Sequence, residues 1–372
     1  MAVFALFAIL MGRFAMRPER PTFLAPEFAP KSSGDAHYRA LKVSTGATRF
    51  AHAPTLVELS DGKLRAFWFG GSREGATDSA IYTALFVPAQ ENWGAARPIF
   101  DARQVQRDLH RLVRKLGNPT AVHDASGRLW LFFVSVTVGG WSGSSVNFVT
   151  SDDDGETWSR VQRLVTSPFM NLSTLVKGAP IIYADGSFGL PMYHEMIGKF
   201  GEILRLRADG EILDKTRLSA GRDSLQPVIV PRSERAAVGF MRYAGPPPAR
   251  VLMVSTDDAG DHWREPAKLA LPNPNSAIDA VALDGDRVLL VLNNLESNRN
   301  DLSLAYSADG GITWRVVHQF EYTAPSAQGQ TAEYSYPRLL RTRDGSFHLV
   351  YSAGKAEVRH IRFNHQWLDK KL

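Results

Sequence analysis

Cysteine is absent from all 372 residues. That excludes disulfides, thiolate metal sites and a cysteine nucleophile. It leaves the compartment open, because an exported protein needs no disulfide. No apolar run reaches the roughly 20 residues that a membrane-spanning helix requires. The longest, Ala2 to Met11, lies at the N-terminus. Helical patterning is scarce too. Apolar residues recur at helical spacing only in "RQVQRDLHRLVRKLG", where Val105, Leu109, Leu112 and Leu116 share one face and arginines the other. Charge of one sign is not in great excess. The net charge of +5 suits an acidic ligand and plain solubility alike. A single basic helix without aromatic interleaving is not a nucleic-acid signature, so no nucleic-acid partner is expected.

Hydrophobic residues make up 44% of the chain, enough for a large core. The first ten apolar residues match the core of a signal peptide, but the positive residues that should precede them are missing; Arg13 and Arg17 follow instead. "RPERPTFLAPEFAP" then holds four prolines and reads as an extended tether. We expect residues 1–30 to be a leader and tether. They would direct export to the periplasm or outside, or give a weak membrane association, ahead of one domain over 38–372.

Three segments share one pattern: "SDDDGETW" (Ser151 to Trp158), "TDDAGDHW" (Thr256 to Trp263) and "SADGGITW" (Ser307 to Trp314). The aspartate can bond backbone two residues on, glycine takes a positive φ, and tryptophan plugs the space beneath the turn. Trp93 in "FVPAQENWGAARP" and the stretch "LRADGEILDK" keep part of the pattern. In step with these, six apolar runs break at a turn and resume, near residues 61, 126, 185, 233, 285 and 344. Each unit has room for about four short strands, the make-up of a propeller blade. The expected fold is all-β: a six-bladed propeller, with the basic helix inserted between the first and second blades. Its arginines read as a solvated face, or as a positive wall that attracts acidic glycans.

In such a fold the residues before each hairpin's first strand, and after its second, gather at one mouth of the central channel. Before the first strands stand His52, Asn118, Lys177, Gln226, Asp279 and Tyr334. After the second strands stand Arg73, Asp78, His194, Glu195, Arg242 and Arg299. Polar groups converging on one end of a rigid scaffold are the expected form of a site. Tyr336 reads as a wall of that pocket. Packing accounts for Tyr193. No ligand spacing supports a metal at His52, His194 and Glu195, so neither metal nor cofactor is expected.

The three Asp boxes on six hairpins, with "HAPTLVELSDGKLRAFWFGGSREG", "GNPTAVHDASGRLWLFFVS" and "EYSYPRLLRTRDGSFHLVYS", resemble the sialidases, and within them the BNR-repeat-like subgroup, from about Tyr38 to the C-terminus. The resemblance implies a sialidase-like glycoside hydrolase acting on an acidic oligosaccharide or polysaccharide. It implies that Arg242 and Arg299 grip a carboxylate, that Tyr334 is the nucleophile or stabiliser, and that Asp78 is the acid/base. Where the family has a first arginine, this chain has His52. Where the family has the glutamate that assists the tyrosine, this chain has Gln226. Glu333 or Glu195 would then stand in as base. These departures keep two alternatives open: a glycosidase or lyase on uronate- or rhamnose-containing polysaccharide using His52 and Tyr334, and a non-catalytic glycan-binding propeller.

Overall fold

The computed structural model describes residues 20–25, 27, 34–166, 173–196, 198–325 and 332–372. Six antiparallel sheets stand around one axis, each four strands deep, with one strand broken in two in the first and third. Each expected hairpin forms the two inner strands of a blade. They run Phe50–Glu58 and Leu64–Gly71 in the first, Lys115–His123 and Leu129–Val136 in the second. In the third, the broken inner strand (Leu175–Val176, Ile181–Ile182) pairs with Phe188–His194. Ser224–Pro231 with Ala237–Tyr243, Asp279–Asp284 with Arg287–Leu292, and Tyr334–Arg341 with Phe347–Ala353 complete the set.

The sixth blade is closed by the start of the chain. Its outermost strand is Tyr38–Thr45, antiparallel to Glu357–Phe363, with Tyr38 opposite Phe363. The ring therefore has no open seam between first and last blade. The core lies between blades, because each sheet buries both faces against its neighbours. Phe100 stacks on Phe133 at 5.7 Å across the first and second blades, and Phe240 meets Trp314 edge-on at 5.5 Å across the fourth and fifth.

All three full Asp boxes follow the third strand of their blade, on the face opposite the mouth. In the first of them Asp153 accepts from the Thr157 amide at 2.8 Å, and Ser151 Oγ accepts from the Gly155 amide at 2.8 Å. Gly155 sits at φ +89, and a Cβ there would lie 3.0 Å from the Arg65 side chain and 3.1 Å from Trp158. Hydrogen bonding to Thr157 pulls the Asp153 carboxyl down to about 2. Arg20 and Phe23 dock on this same face. Arg20 donates to the Gly260 carbonyl at 2.9 Å, and the Phe23 ring is buried against Tyr183 at 5.3 Å. Of the leader and tether expected over residues 1–30, residues 1–19, 26 and 28–30 lie outside the described residues. Among the described residues no helix is long and apolar enough to cross a membrane.

The inserted helix is shorter than its sequence pattern predicts. It spans Ala102–Leu109, starts at an Asp101 cap that accepts from the Gln104 amide, and ends where His110 turns to φ +50. Leu116 belongs instead to the inner strand of the second blade, fully buried. The apolar spacing at 112 and 116 is that of a chain entering a strand, not of a further helical turn.

Candidate active site at the channel mouth

Four inner strands carry the same irregularity at the mouth. Ala53, Asn118, Gln226 and Tyr336 all hold positive φ, between +44 and +53, and each precedes a proline. The pairing register slips at each of these places. A bulge of this kind bends the strand and re-aims one side chain. A non-glycine residue at positive φ is strained, and such strain gathers at functional sites.

The re-aimed side chains meet at one small cavity of about 40 Å³. Its lining includes His52, Asn118, Tyr193, Glu195, Gln226 and Tyr336, with Trp141 from the loop after the second blade's second strand. The Tyr193 hydroxyl is at the centre of the polar network. It accepts from Asn118 Nδ2 at 3.1 Å and from Gln226 Nε2 at 3.2 Å. Gln226 Oε1 in turn accepts from Arg242 at 3.2 Å. Burial drives the Tyr193 phenol strongly upward, so it stays protonated at neutral pH.

His52 is buried and packs edge-on against Tyr336, ring centroids 4.4 Å apart. Its Nδ1 makes no hydrogen bond. Burial lowers its pKa to about 4; Arg299 and Arg242 push the same way, while Glu333 opposes. His52 is therefore a neutral imidazole across the ordinary pH range.

Arg242 and Arg299 converge on Asn275. Arg242 Nε donates to its side-chain oxygen at 2.6 Å, and Arg299 Nη2 donates to its backbone carbonyl at 2.8 Å. Arg299 also pairs with Glu333 at 2.9 Å. Burial favours a protonated Glu333, but Arg299 overrides it and holds the carboxyl below its usual range. Two guanidiniums brought to one asparagine can present a fork to a carboxylate.

Other residues expected at the mouth sit elsewhere. Tyr334 does not line the cavity. Its ring is buried between the fifth and sixth blades against Tyr351, and its hydroxyl is 2.8 Å from Thr323 Oγ1. Simple strand alternation puts Tyr334 and Tyr336 on one face; the bulge at Tyr336 separates them. Hence His52 and Tyr334 are not a pair, and the tyrosine against His52 is Tyr336. His194 turns away to stack on Phe200 at 4.6 Å and bond Glu202 at 2.8 Å. Lys177 and Asp279 lie deeper in the channel. Lys177 reaches the Pro337 and Ile278 carbonyls, and burial lowers its pKa to about 8 against the pull of Asp279. Asp279 pairs with Arg338 at 3.1 Å. Asp78 is exposed and accepts from the Ser72 amide and hydroxyl, at a groove it shares with Arg73. Tyr193 is the residue that sequence reasoning left to packing. Its signal was position: it stands near the end of the second strand of the third blade, just ahead of His194 and Glu195.

Comparison with known proteins comes from family and from fold. A family profile described as a BNR repeat-like domain matches residues 62–349. A Hadza microbial sialidase has TM-score 0.71 at 16% identity, over 88% of this chain and 68% of its own. The intramolecular trans-sialidase of Ruminococcus gnavus has TM-score 0.64 at 14% identity, over 86% of this chain and 96% of its own. A Dyadobacter fermentans protein of unknown function has TM-score 0.69 at 11% identity, over 88% of this chain and 99% of its own. At these identities the likeness carries the fold. No curated protein matches the chain in sequence.

Proposed function

The chain belongs to the BNR repeat-like domain family, and from that premise we propose that it is a sialidase-like glycoside hydrolase acting on an acidic glycan at the channel mouth. The observation that carries this reading is the Arg242–Asn275–Arg299 junction beside His52 and Tyr336. The two guanidiniums bind the sugar carboxylate. The cavity of about 40 Å³ admits a substituent rather than a ring, so the sugar sits above it, against Tyr336. Tyr336 attacks the anomeric carbon and gives its proton to neutral His52. The glycosidic C–O bond breaks, and the Asp78 carboxyl, reaching in from the groove that adjoins the mouth, protonates the leaving oxygen. The Asp78 carboxylate then takes a proton from the water that attacks the anomeric carbon, and Tyr336 leaves with the proton returned by His52. Structural neighbours that are sialidases and a trans-sialidase support the same class.

One observation favours a second reading. Gln226, where the family has a carboxylate, spends its amide on Tyr193. Neutral His52 then abstracts a proton next to a uronate carboxylate, and a tyrosine protonates the leaving oxygen, as in a lyase. A single experiment separates the readings. The protein is offered a fluorogenic sialoside and a panel of uronate polysaccharides, then retested as Arg242→Gln and Tyr336→Phe. Sialoside release that both variants reduce by about 100-fold or more supports the hydrolase. Product with the absorbance of an unsaturated uronate supports the lyase. Binding without turnover of any substrate sinks both and leaves a lectin-like propeller.

A further inference from the structure

Beside the mouth, between the first and second blades, runs an open groove of about 700 Å³. It is lined by Ser72, Arg73 and Gly75 to Asp78 on one side, and by Arg114, Lys115 and the loop Val136–Gly140 on the other. Three of its side chains are cations (Arg73, Arg114, Lys115) and one is a carboxylate (Asp78); with Glu74, which lines the mouth beside Lys115, the local balance is 3 − 2 = +1. Asp78 already accepts from Ser72. Arg73 and Arg114 are exposed and take part in no ion pair among the described residues.

The groove shares a wall with the mouth. Trp141 lines the cavity that holds His52, and Lys115 lies over its indole, 4.0 Å from the ring centroid. Gly117 lets the indole sit this close: a Cβ there would stand 2.7 Å from Trp141 Cη2. Gly75, on the facing loop, leaves room for the same lysine, whose ammonium would be 3.4 Å from a Cβ. A cation over an indole is a fixed pair, worth more when partly desolvated. It ends the cavity on one side and begins the groove on the other.

We propose that this groove is a second subsite, binding the anionic group of a neighbouring sugar in the same acidic glycan while the mouth holds the first. The proposal rests on the reading of the mouth as an acidic-glycan site. Arg73 and Arg114 supply the charge, and the Trp141 indole edge supplies an apolar face against which a sugar ring packs. The substrate class is thereby narrowed to a glycan with anionic sugars in succession, rather than a single terminal acidic sugar on a neutral chain.

The test measures binding of two probe pairs by calorimetry, at low and high salt: N-acetylneuraminic acid with its α2,8-linked trimer, and galacturonic acid with its trimer. In the unaltered protein one trimer should bind at least tenfold tighter than its monomer, and high salt should shrink that gain. Arg114→Glu should erase the gain and leave monomer binding within about twofold. Arg242→Gln should weaken monomer and trimer together. Equal binding of monomer and trimer, or a gain that survives Arg114→Glu and high salt, overturns the subsite. Monomer binding that ignores Arg242→Gln beside a trimer gain that needs Arg114 overturns the mouth reading alone. No binding of any probe overturns both.

Discussion

At the scale of single residues, the outcome turns on which tyrosine faces the mouth. Tyr336→Phe should lower kcat by 10²-fold or more, within the range for a group that transfers a proton or attacks. Tyr334→Phe should leave kcat within a few-fold and cost about 1 kcal/mol of stability, the loss of one hydrogen bond to Thr323. Steady-state kinetics beside thermal unfolding check both. His52 sets the acid limb. Its pKa is pushed below the ordinary value near 6.5, to about 4, so the neutral base persists as pH falls and fails only near 4. The kcat/KM profile should be flat from pH 7 to 5 and drop toward 4; a His52→Gln variant should lack that limb and be slow throughout. The sequence made the arginine pair legible, because Arg242 lies at the end of one second strand and Arg299 follows that of the neighbouring blade. It hid the tyrosine exchange. Nothing in "EYSYP" announces that Tyr336 takes positive φ before Pro337, since that conformation is disfavoured for such a residue. Tyr193 was hidden for a related reason: its partners Asn118 and Gln226 reach it only because each sits on a bulge of its own.

At the scale of elements, the Asp boxes show how a short repeat fixes a fold without touching its chemistry. Asp153 accepts from two backbone amides and two hydroxyls of its own turn. Asp153→Ala should cost about 2 kcal/mol and leave kcat unchanged, since several hydrogen bonds to an ionised carboxylate are lost at a turn far from the mouth. Denaturant unfolding beside an activity assay reads both. Such turns are legible because their bonds join residues two to four apart. The inserted helix was overextended for the opposite reason. Its end depends on His110 adopting a left-handed cap and on Leu116 pairing with Ser135 in the sheet, a partner 19 residues away. The outer strand of the sixth blade was equally invisible, because its partner comes from the other end of the chain.

At the scale of the whole molecule, two features govern stability. The first is closure. Removing residues 1–45 would strip the sixth blade of its outer strand, expose the edge of Glu357–Phe363 and lower Tm by roughly 5 °C or more. The second is a set of buried histidines. His348 and His360 bond each other at 2.9 Å between the sixth and first blades, and burial depresses both, His348 to about 3. With His52 they take up protons in the unfolded chain near pH 6.5 but resist doing so when folded. Stability should therefore hold above about pH 6.5 and fall below it, by about 1.4 kcal/mol per pH unit for each histidine that stays neutral. Urea midpoints between pH 7 and 4 test the slope. The docking of Arg20 and Phe23 has a different consequence. These residues leave the domain on the Asp-box side, the far end of the axis from Arg242 and Arg299. A bead, a carrier or a cell envelope joined through that end is held at the propeller's back, and the site looks outward, where a long glycan can enter without passing beneath the support.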